Sequence, residues 1–211
     1  MPTLYGARGS GSAAIEAALV LCGVDYRVVN AATWEEGSAL AELRAANPLQ
    51  QIPTLVLDDG SVLTESAAIL VHLGLEHPES NLLPANAAAR AQAIRGVVFI
   101  AANCYAAIGV ADYPERWCSE PDAAVTDNVR RGARARLHRY WNVFADTFRA
   151  ADGPFFGGAA PGALDVHAAV VSRWSGARAH LRRARPALHA LVERVDAYPA
   201  IAPVFARHWP G

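Results

Sequence analysis

The sequence predicts a small α/β domain followed by an all-α domain. Strand and helix patterns alternate through the first 78 residues or so, and a proline-containing break follows at residues 77–84. No strand pattern is evident from Asn86 onward, and 211 residues suffice for two small domains. We therefore predict an α/β domain over residues 1–78, a linker over residues 79–85 and a helical domain over residues 86–211.

The first half of the α/β domain alternates strand and helix. Residues 3–5 have a strand pattern, and residues 12–22 carry a helical apolar stripe that ends at a glycine, the residue favoured in a left-handed cap. Residues 26–29 alternate as a second strand. A second, weaker helix is predicted from about residue 35 to residue 46, where an asparagine–proline pair stops it.

The second half of this domain is a hairpin and a helix. Residues 54–57 and 61–63 are predicted to pair across an Asp-Asp-Gly turn. Thr64 is expected to cap a helix over residues 65–76. The order is then β-α-β-α-β-β-α, with a parallel first pair and an antiparallel hairpin, which is the order of a thioredoxin-like domain.

The remainder of the chain is predicted to be a helical bundle. Apolar residues recur there with a helical period rather than alternating. The candidate helices are residues 86–110, 122–151, 163–180, 186–198 and 200–207.

The composition excludes several classes of function. A net charge of −1 gives no electrostatic signature for nucleic acid or an acidic membrane. The three cysteines, Cys22, Cys104 and Cys118, form no C-x-x-C pair, and the histidines show no ligand spacing, so no metal is expected. The chain has no secretory signal pattern, and its apolar runs fall short of the ~20 residues that cross a bilayer. We expect a cytoplasmic protein.

One candidate site lies where the first strand meets the first helix. A glycine-rich loop over residues 6–11 precedes the helix, and a helix N-terminus offers free N–H groups to an anion. Ser10 and Ser12 lie at that end. The alternative is structural, with Ser12 as the helix N-cap and Ser10 as an ordinary loop residue.

A second candidate site combines the segment before the hairpin with the helix after it. Pro53 has no N–H group and stands at a strand start, which leaves the Ile52 main chain free to pair outward. Glu65 and Ser66 begin the next helix, where a carboxylate and a hydroxyl match a ligand that carries both an ammonium and a carboxylate group. Simple helix capping is the alternative.

These segments together resemble one family. Asn47-Pro48, the run from Gln51 to Leu55, the Asp-Gly hairpin, Glu65-Ser66-Ala67-Ala68-Ile69 and the linker Asn81-Leu82-Leu83-Pro84 are similar in spacing and order to cytosolic glutathione transferases. The N-terminal site is similar to that of bacterial serine-type or zeta- and theta-like members. The resemblance implies a cis peptide before Pro53, pairing of the Ile52 main chain with glutathione, a γ-glutamyl site at Glu65 and Ser66, and Gln51 alongside.

The catalytic position departs from the family pattern. Leu4 stands where tyrosine-type members have their tyrosine, with Tyr5 one residue out of register, and Gly11 stands at the place of the bacterial cysteine. The position of the family's usual catalytic serine aligns with Gly9, and Ser10 is the residue next to it. Ser10 is therefore predicted to activate the glutathione thiol, with Ser12 as the second choice.

The helical half resembles the family more weakly. Gly162-Ala163-Leu164-Asp165 is similar to the start of the family's core helix, where Asp165 is expected to be structural. The resemblance places a hydrophobic substrate pocket at Asn103, Tyr105, Ile108, Tyr113 and Trp117, for which core packing is the alternative.

The resemblance implies a homodimeric glutathione S-transferase with a role in detoxification. Glutathione would be a substrate, and its thiolate would attack a hydrophobic electrophile. The alternatives are a glutathione-dependent lyase, isomerase or dehalogenase and a non-catalytic glutathione-binding scaffold. A dithiol oxidoreductase is disfavoured because Gly11 stands where its nucleophilic cysteine would be.

Overall fold

A computed structural model describes residues 1–150 and 153–210. Its sheet contains β1 (Thr3–Gly6), β2 (Arg27–Asn30), β3 (Thr54–Val56) and β4 (Val62–Leu63) in the order β2-β1-β3-β4. β1 is parallel to β2 and antiparallel to β3, which pairs antiparallel with β4. The predicted order of strands and helices along the chain, the parallel first pair and the antiparallel hairpin are confirmed.

Three helices accompany the sheet: α1 (Ser12–Leu21), α2 (Leu40–Ala46) and α3 (Ser66–Glu76). The predicted start of the second helix at residue 35 is wrong by one turn, because residues 33–37 form turns that end at Gly37 with a φ of 78°. Glycine adopts that left-handed conformation without the steric penalty of other residues.

The two faces of the sheet bury different side chains. Leu4 is fully buried in the main core with α1 and α3, whereas Tyr5 turns to the other face, in a small cluster with Leu43 of α2. The Tyr5 hydroxyl donates to Glu42 at 3.5 Å. The alternation of the strand therefore directs this phenol away from α1.

A 3₁₀ turn, Pro78–Ser80, leads from the sheet to a helical region. Its α-helices are α4 (Ala87–Phe99), α5 (Ala106–Asp112), α6 (Ala123–Thr147), α7 (Ala163–Val171), α8 (Ala177–Ala184), α9 (Pro186–Asp196) and α10 (Ala202–His208). The helix predicted over residues 122–151 ends in the structure at Thr147, and Ala151 lies outside the described residues.

The prediction of one helix over residues 163–180 is wrong. This segment forms two helices, α7 and α8, separated at Ser175 and Gly176, which have φ values of 52° and 77°. Arg178 satisfies the end of α7: its guanidinium donates to the Ser172 hydroxyl at 2.8 Å and to the Ala169 carbonyl at 2.6 Å. A cation bound at a helix C-terminus also suits the helix dipole.

The start of α7 is held by Asp165, as expected. Its carboxylate accepts from the Gly162 N–H at 2.9 Å, and a Cβ on Gly162 would lie 2.9 Å from the carbonyl oxygen of Leu82. The structure shows that the glycine permits this close approach.

α4 and α5 are joined by a π turn, Ile100–Tyr105, into one helical stretch. By length and composition alone this stretch, Ala87–Asp112, is apolar enough to span a membrane, because α4, the π turn and α5 are continuous. Its longest run without a charged side chain, residues 96–111, is shorter than the ~20 residues that cross a bilayer. Val97, Ile100 and Cys104 of this stretch are buried in the main core.

Candidate functional site

The loop between β1 and α1 is held together by its two serines. Ser10 Oγ donates to the Ala7 carbonyl at 2.8 Å, and Ser12 Oγ lies 2.9 Å from Ser10 Oγ and 3.2 Å from the same carbonyl. Ser10 is 8% exposed and Ser12 is fully buried. Since each hydroxyl has a single proton, both protons are engaged inside the loop.

Ser12 is not the N-cap of α1. Gly11 is the capping residue, so the cap includes no side-chain hydrogen bond. Ser12 is the first residue of the helix. The structural interpretation of Ser12 as a cap is therefore wrong in detail, because its hydroxyl turns back to the loop. Activation of a thiol by Ser10 or Ser12 stays a prediction.

The same loop is fastened to the last helix of the described chain. The Gly9 N–H donates to His208 Nδ1 at 3.1 Å, so the other ring nitrogen carries the proton and donates to Glu16 at 2.6 Å. Arg207 also donates to Glu16, at 3.1 Å. Burial opposes ionisation of Glu16, but the bonds from His208 and Arg207 hold the pKa of its carboxyl below the ordinary value. No sequence signal indicated this link.

The segment before β3 forms one wall of the site. The Ile52–Pro53 peptide is cis, as the resemblance implied. Asn47 Nδ2 donates to the Gln51 carbonyl at 3.1 Å and to Thr54 Oγ1 at 3.0 Å, which fixes the turn. Within residues 1–150 and 153–210 the Ile52 main chain makes no hydrogen bond. Its N–H and C=O groups are thus unpaired in this part of the chain, and their pairing with a ligand stays a prediction.

The start of α3 forms a second wall. Glu65, not Thr64, is the residue that precedes the helix, and it has a φ of 63° and a ψ of 109°. Such a conformation is strained for a residue with a side chain and is typical of functional sites. The Glu65 side chain is exposed, while Ser66 is half-buried. The expected cap at Thr64 is wrong because the chain turns sharply one residue later.

His167 of α7 lies beneath Ser66. Its Nε2 is 3.5 Å from Ser66 Oγ, and burial lowers the pKa of the imidazole to about 4. The ring is therefore neutral at physiological pH. Its position against Ser66 depends on a contact across 101 residues.

Tyr105, at the end of the π turn, reaches the start of α1. A Cβ built on Gly11 would lie only 2.6 Å from the Tyr105 hydroxyl oxygen and 3.6 Å from Pro53 Cδ. The phenol ring packs against Trp174 at a centroid distance of 5.6 Å. Burial, together with the smaller effect of the charge of Glu65, raises the pKa of Tyr105 to about 12. The start of α1, Pro53 and this hydroxyl thus share one region near Glu65.

The other residues of the expected hydrophobic pocket are dispersed. Asn103 donates to the Phe99 carbonyl at 3.1 Å, and Ile108 is buried in the main core. Tyr113 and Trp117 are 43% and 64% exposed. Of these residues the structure brings Tyr105 to the walls of the site, and the substrate pocket as a whole stays a prediction.

A metal centre finds no support in the part of the chain that the structure describes. It contains no cluster of three or more histidine, cysteine, aspartate or glutamate side chains that could hold an ion. The site is instead made of main-chain groups, hydroxyls and one carboxylate. That donor set suits a zwitterionic peptide rather than a metal.

Comparison with known proteins agrees with this geometry. Residues 2–74 match the family described as "Glutathione S-transferase, N-terminal domain". The chain is 35% identical over 130 residues to the uncharacterized GST-like protein YncG of Escherichia coli K12, which covers 61% of this chain and 63% of that protein. It is 40% identical over 93 residues to a probable maleylacetoacetate isomerase of Caenorhabditis elegans, over 44% of this chain and 42% of that protein.

These alignments span less than two thirds of the length of each of these relatives. Structural similarity extends further. A glutathione transferase homologue from Sulfitobacter, crystallised with bound glutathione, superposes with a TM-score of 0.83 over 97% of this chain and 96% of its own, at 22% identity. The TM-score establishes a shared fold, and at 22% identity the comparison shows the fold alone.

Proposed function

Because residues 2–74 belong to the glutathione S-transferase N-terminal domain family and the whole chain has the glutathione transferase fold, we propose that this protein is a glutathione transferase. Its substrates would be reduced glutathione and a hydrophobic electrophile. The observation that carries the proposal is the pair of open walls, formed by the unpaired main chain of Ile52 and by the start of α3 at Glu65 and Ser66.

The proposed glutathione site matches the tripeptide group by group. The Glu65 carboxylate would accept from the γ-glutamyl ammonium, and the Ser66 hydroxyl and N–H would donate to the γ-glutamyl carboxylate at the positive end of α3. The cysteinyl residue would pair with the Ile52 main chain as an added strand does. The exposed Gln51 lies beside this position.

A glutathione-dependent isomerase is the second candidate. The observation that favours it is the 40% identity, over 93 residues, to a probable maleylacetoacetate isomerase. Both reactions begin with the same thiolate, so the binding site does not distinguish them. The two differ in whether glutathione stays on the product. A lyase or dehalogenase would share the same first step.

We also propose that two copies of the chain associate and that the protein acts in the cytoplasm in detoxification. Val98 of α4 and Val143 of α6 are 50% and 43% exposed. Val143 lines a surface groove with Phe99, Tyr140, Arg136 and Arg139. Exposed apolar side chains on adjacent helices are typical of subunit contacts. A mass of twice 22.4 kDa in multi-angle light scattering is the expected result, and a monomer would contradict it.

Calorimetric titration with reduced glutathione tests the proposed site. The wild type should bind saturably, and Glu65→Ala should weaken binding at least tenfold because the γ-glutamyl ammonium loses its charged partner. Glu76→Ala is the matched control, since Glu76 is an exposed glutamate at the opposite end of α3 and should leave the affinity unchanged.

Turnover is then measured with glutathione and an activated aryl halide, and separately with a maleyl-substituted cis-alkene. Conjugate formation supports the transferase, and catalytic cis–trans conversion supports the isomerase. Binding without either reaction would favour the non-catalytic scaffold. An absence of binding at millimolar glutathione would contradict the proposed function itself.

A further inference from the structure

The π turn between α4 and α5 brings the Tyr105 hydroxyl to the start of α1, beside Gly11 and Pro53. Resting on the proposed function, we propose that the Tyr105 hydroxyl donates a hydrogen bond to the glutathione sulfur and stabilises its thiolate. The helical region, and not the loop of Ser10 and Ser12, would then supply the catalytic donor.

The position of the sulfur follows from its neighbours. A cysteinyl residue paired with the Ile52 main chain lies beside Pro53, and Pro53 Cδ is 3.6 Å from the point where a Gly11 side chain would begin. The Tyr105 hydroxyl oxygen lies 2.6 Å from that same point. The short cysteinyl side chain therefore enters a space bounded by Gly11, Pro53 and the phenol.

The hydroxyls near this space differ in their availability. Those of Ser10 and Ser12 are buried and bonded to each other and to the Ala7 carbonyl. By contrast, the Tyr105 hydroxyl has no hydrogen-bond partner within residues 1–150 and 153–210. Donation by either serine would break an existing bond within the protein, whereas donation by Tyr105 would break none.

The electrostatics suit a neutral donor beside an anion. Burial raises the pKa of Tyr105 to about 12, so its proton stays on the phenol when the glutathione thiol ionises. The positive end of α1 also favours a thiolate at this place. Gly11 has a role in this arrangement, since any side chain there would displace the phenol.

The reaction balances without another reagent. The thiol proton passes to water, and the phenol keeps its own proton while its hydrogen bond holds the sulfur anion. The sulfur then attacks the electrophilic carbon with an electron pair, and the leaving group departs with the pair of its own bond. For an isomerisation, the same sulfur adds to the double bond and is later eliminated.

The test is a pH titration of bound glutathione, followed by the thiolate absorbance near 240 nm. Tyr105→Phe removes one oxygen and should raise the apparent pKa of the bound thiol by about one unit, because a hydrogen bond to a charged group is lost. At a pH below that pKa the thiolate fraction should fall about tenfold. At the same low pH, where glutathione binds mainly as the thiol, its affinity should change less than threefold, since its proposed contacts at Ile52, Glu65 and Ser66 remain.

Two further variants separate a catalytic from a merely structural effect. Gly11→Ala should raise the thiol pKa as Tyr105→Phe does, because the new Cβ would occupy the place of the hydroxyl. Tyr198→Phe removes a half-buried phenol from the end of α9 and should leave the thiol pKa unchanged.

A different outcome would assign thiolate stabilisation to the loop of Ser10 and Ser12. If Ser10→Ala or Ser12→Ala raises the thiol pKa while Tyr105→Phe leaves it at the wild-type value, the inference is wrong and the proposed glutathione site stands. If the wild type shows neither glutathione binding nor a thiolate signal, the proposed function fails, and the inference fails with it.

Discussion

Replacing Asp165 with alanine removes one carboxylate that organises the entry to α7. The carboxylate accepts from the N–H groups of Phe156 and Gly157 at 2.8 and 2.9 Å and from that of Gly162 at 2.9 Å. Asp165 is fully buried. A single substitution therefore leaves three main-chain donors without an acceptor, and we expect a large loss of stability.

The magnitude follows from the surroundings of each donor. Gly162 is buried, so its N–H group loses its bond without replacement, at a cost of about 2 kcal/mol. Phe156 and Gly157 are half-buried and can gain water in part, at about 1 kcal/mol each. The sum is about 4 kcal/mol, a large share of the roughly 5–15 kcal/mol by which domains are stable.

Urea unfolding at pH 8 measures this loss. Burial raises the pKa of Asp165 to about 6, so at pH 8 the carboxylate is ionised and makes all three bonds. Asp59→Ala is the control: Asp59 is exposed in the hairpin turn, where it accepts one N–H bond from Ser61 at 2.8 Å, and its loss should cost under about 1 kcal/mol. Equal free-energy changes for the two variants would refute the reasoning.

Two further predictions concern stability. Burial lowers the pKa of His167 to about 4, whereas in the unfolded chain the same imidazole has a pKa near 6.5. The stability due to the neutral ring is therefore complete above pH 6.5. It falls by about 3 kcal/mol as the pH drops to 4, because the unfolded chain takes up a proton that the folded protein does not. Gly132→Ala in α6 meets open space and should stabilise the protein by about 0.5–1 kcal/mol, whereas Gly74→Ala should destabilise it because the new Cβ would lie 2.5 Å from Leu83 Cγ.

Urea unfolding at several pH values checks the first of these, with His167→Gln as the comparison. The variant should lose that part of the pH dependence, and identical slopes for both proteins would contradict the prediction. Thermal unfolding checks the glycine pair. Melting temperatures that move in the same direction for the two alanine variants would show that packing against Leu83 does not decide the outcome.

The parts of the fold that the sequence predicted are those set by neighbours along the chain. The order of strands and helices up to residue 76 follows from apolar periodicity and from turn residues. The walls at Ile52 and at Glu65 and Ser66 follow from short motifs whose members lie within a few residues of one another. Such features need no knowledge of what packs against them.

The parts that it did not predict depend on residues far apart in the chain. The loop of Ser10 is held by His208, 199 residues from Gly9. The phenol of Tyr105 faces Gly11 across 94 positions of sequence. Periodicity indicates which face of a helix is buried, but it does not indicate which side chain will lie opposite.

The bond between Glu16 and His208 has a consequence for the order in which the molecule is made. The two residues are 192 positions apart, so at about 5–20 residues per second the ribosome adds the second one roughly 10–40 s after the first. During that time the sheet can form, while the loop at residues 7–11 lacks the imidazole that holds Gly9. The loop at residues 7–11 is synthesised before α10, and it acquires the bond between Gly9 and His208 only after α10 has emerged.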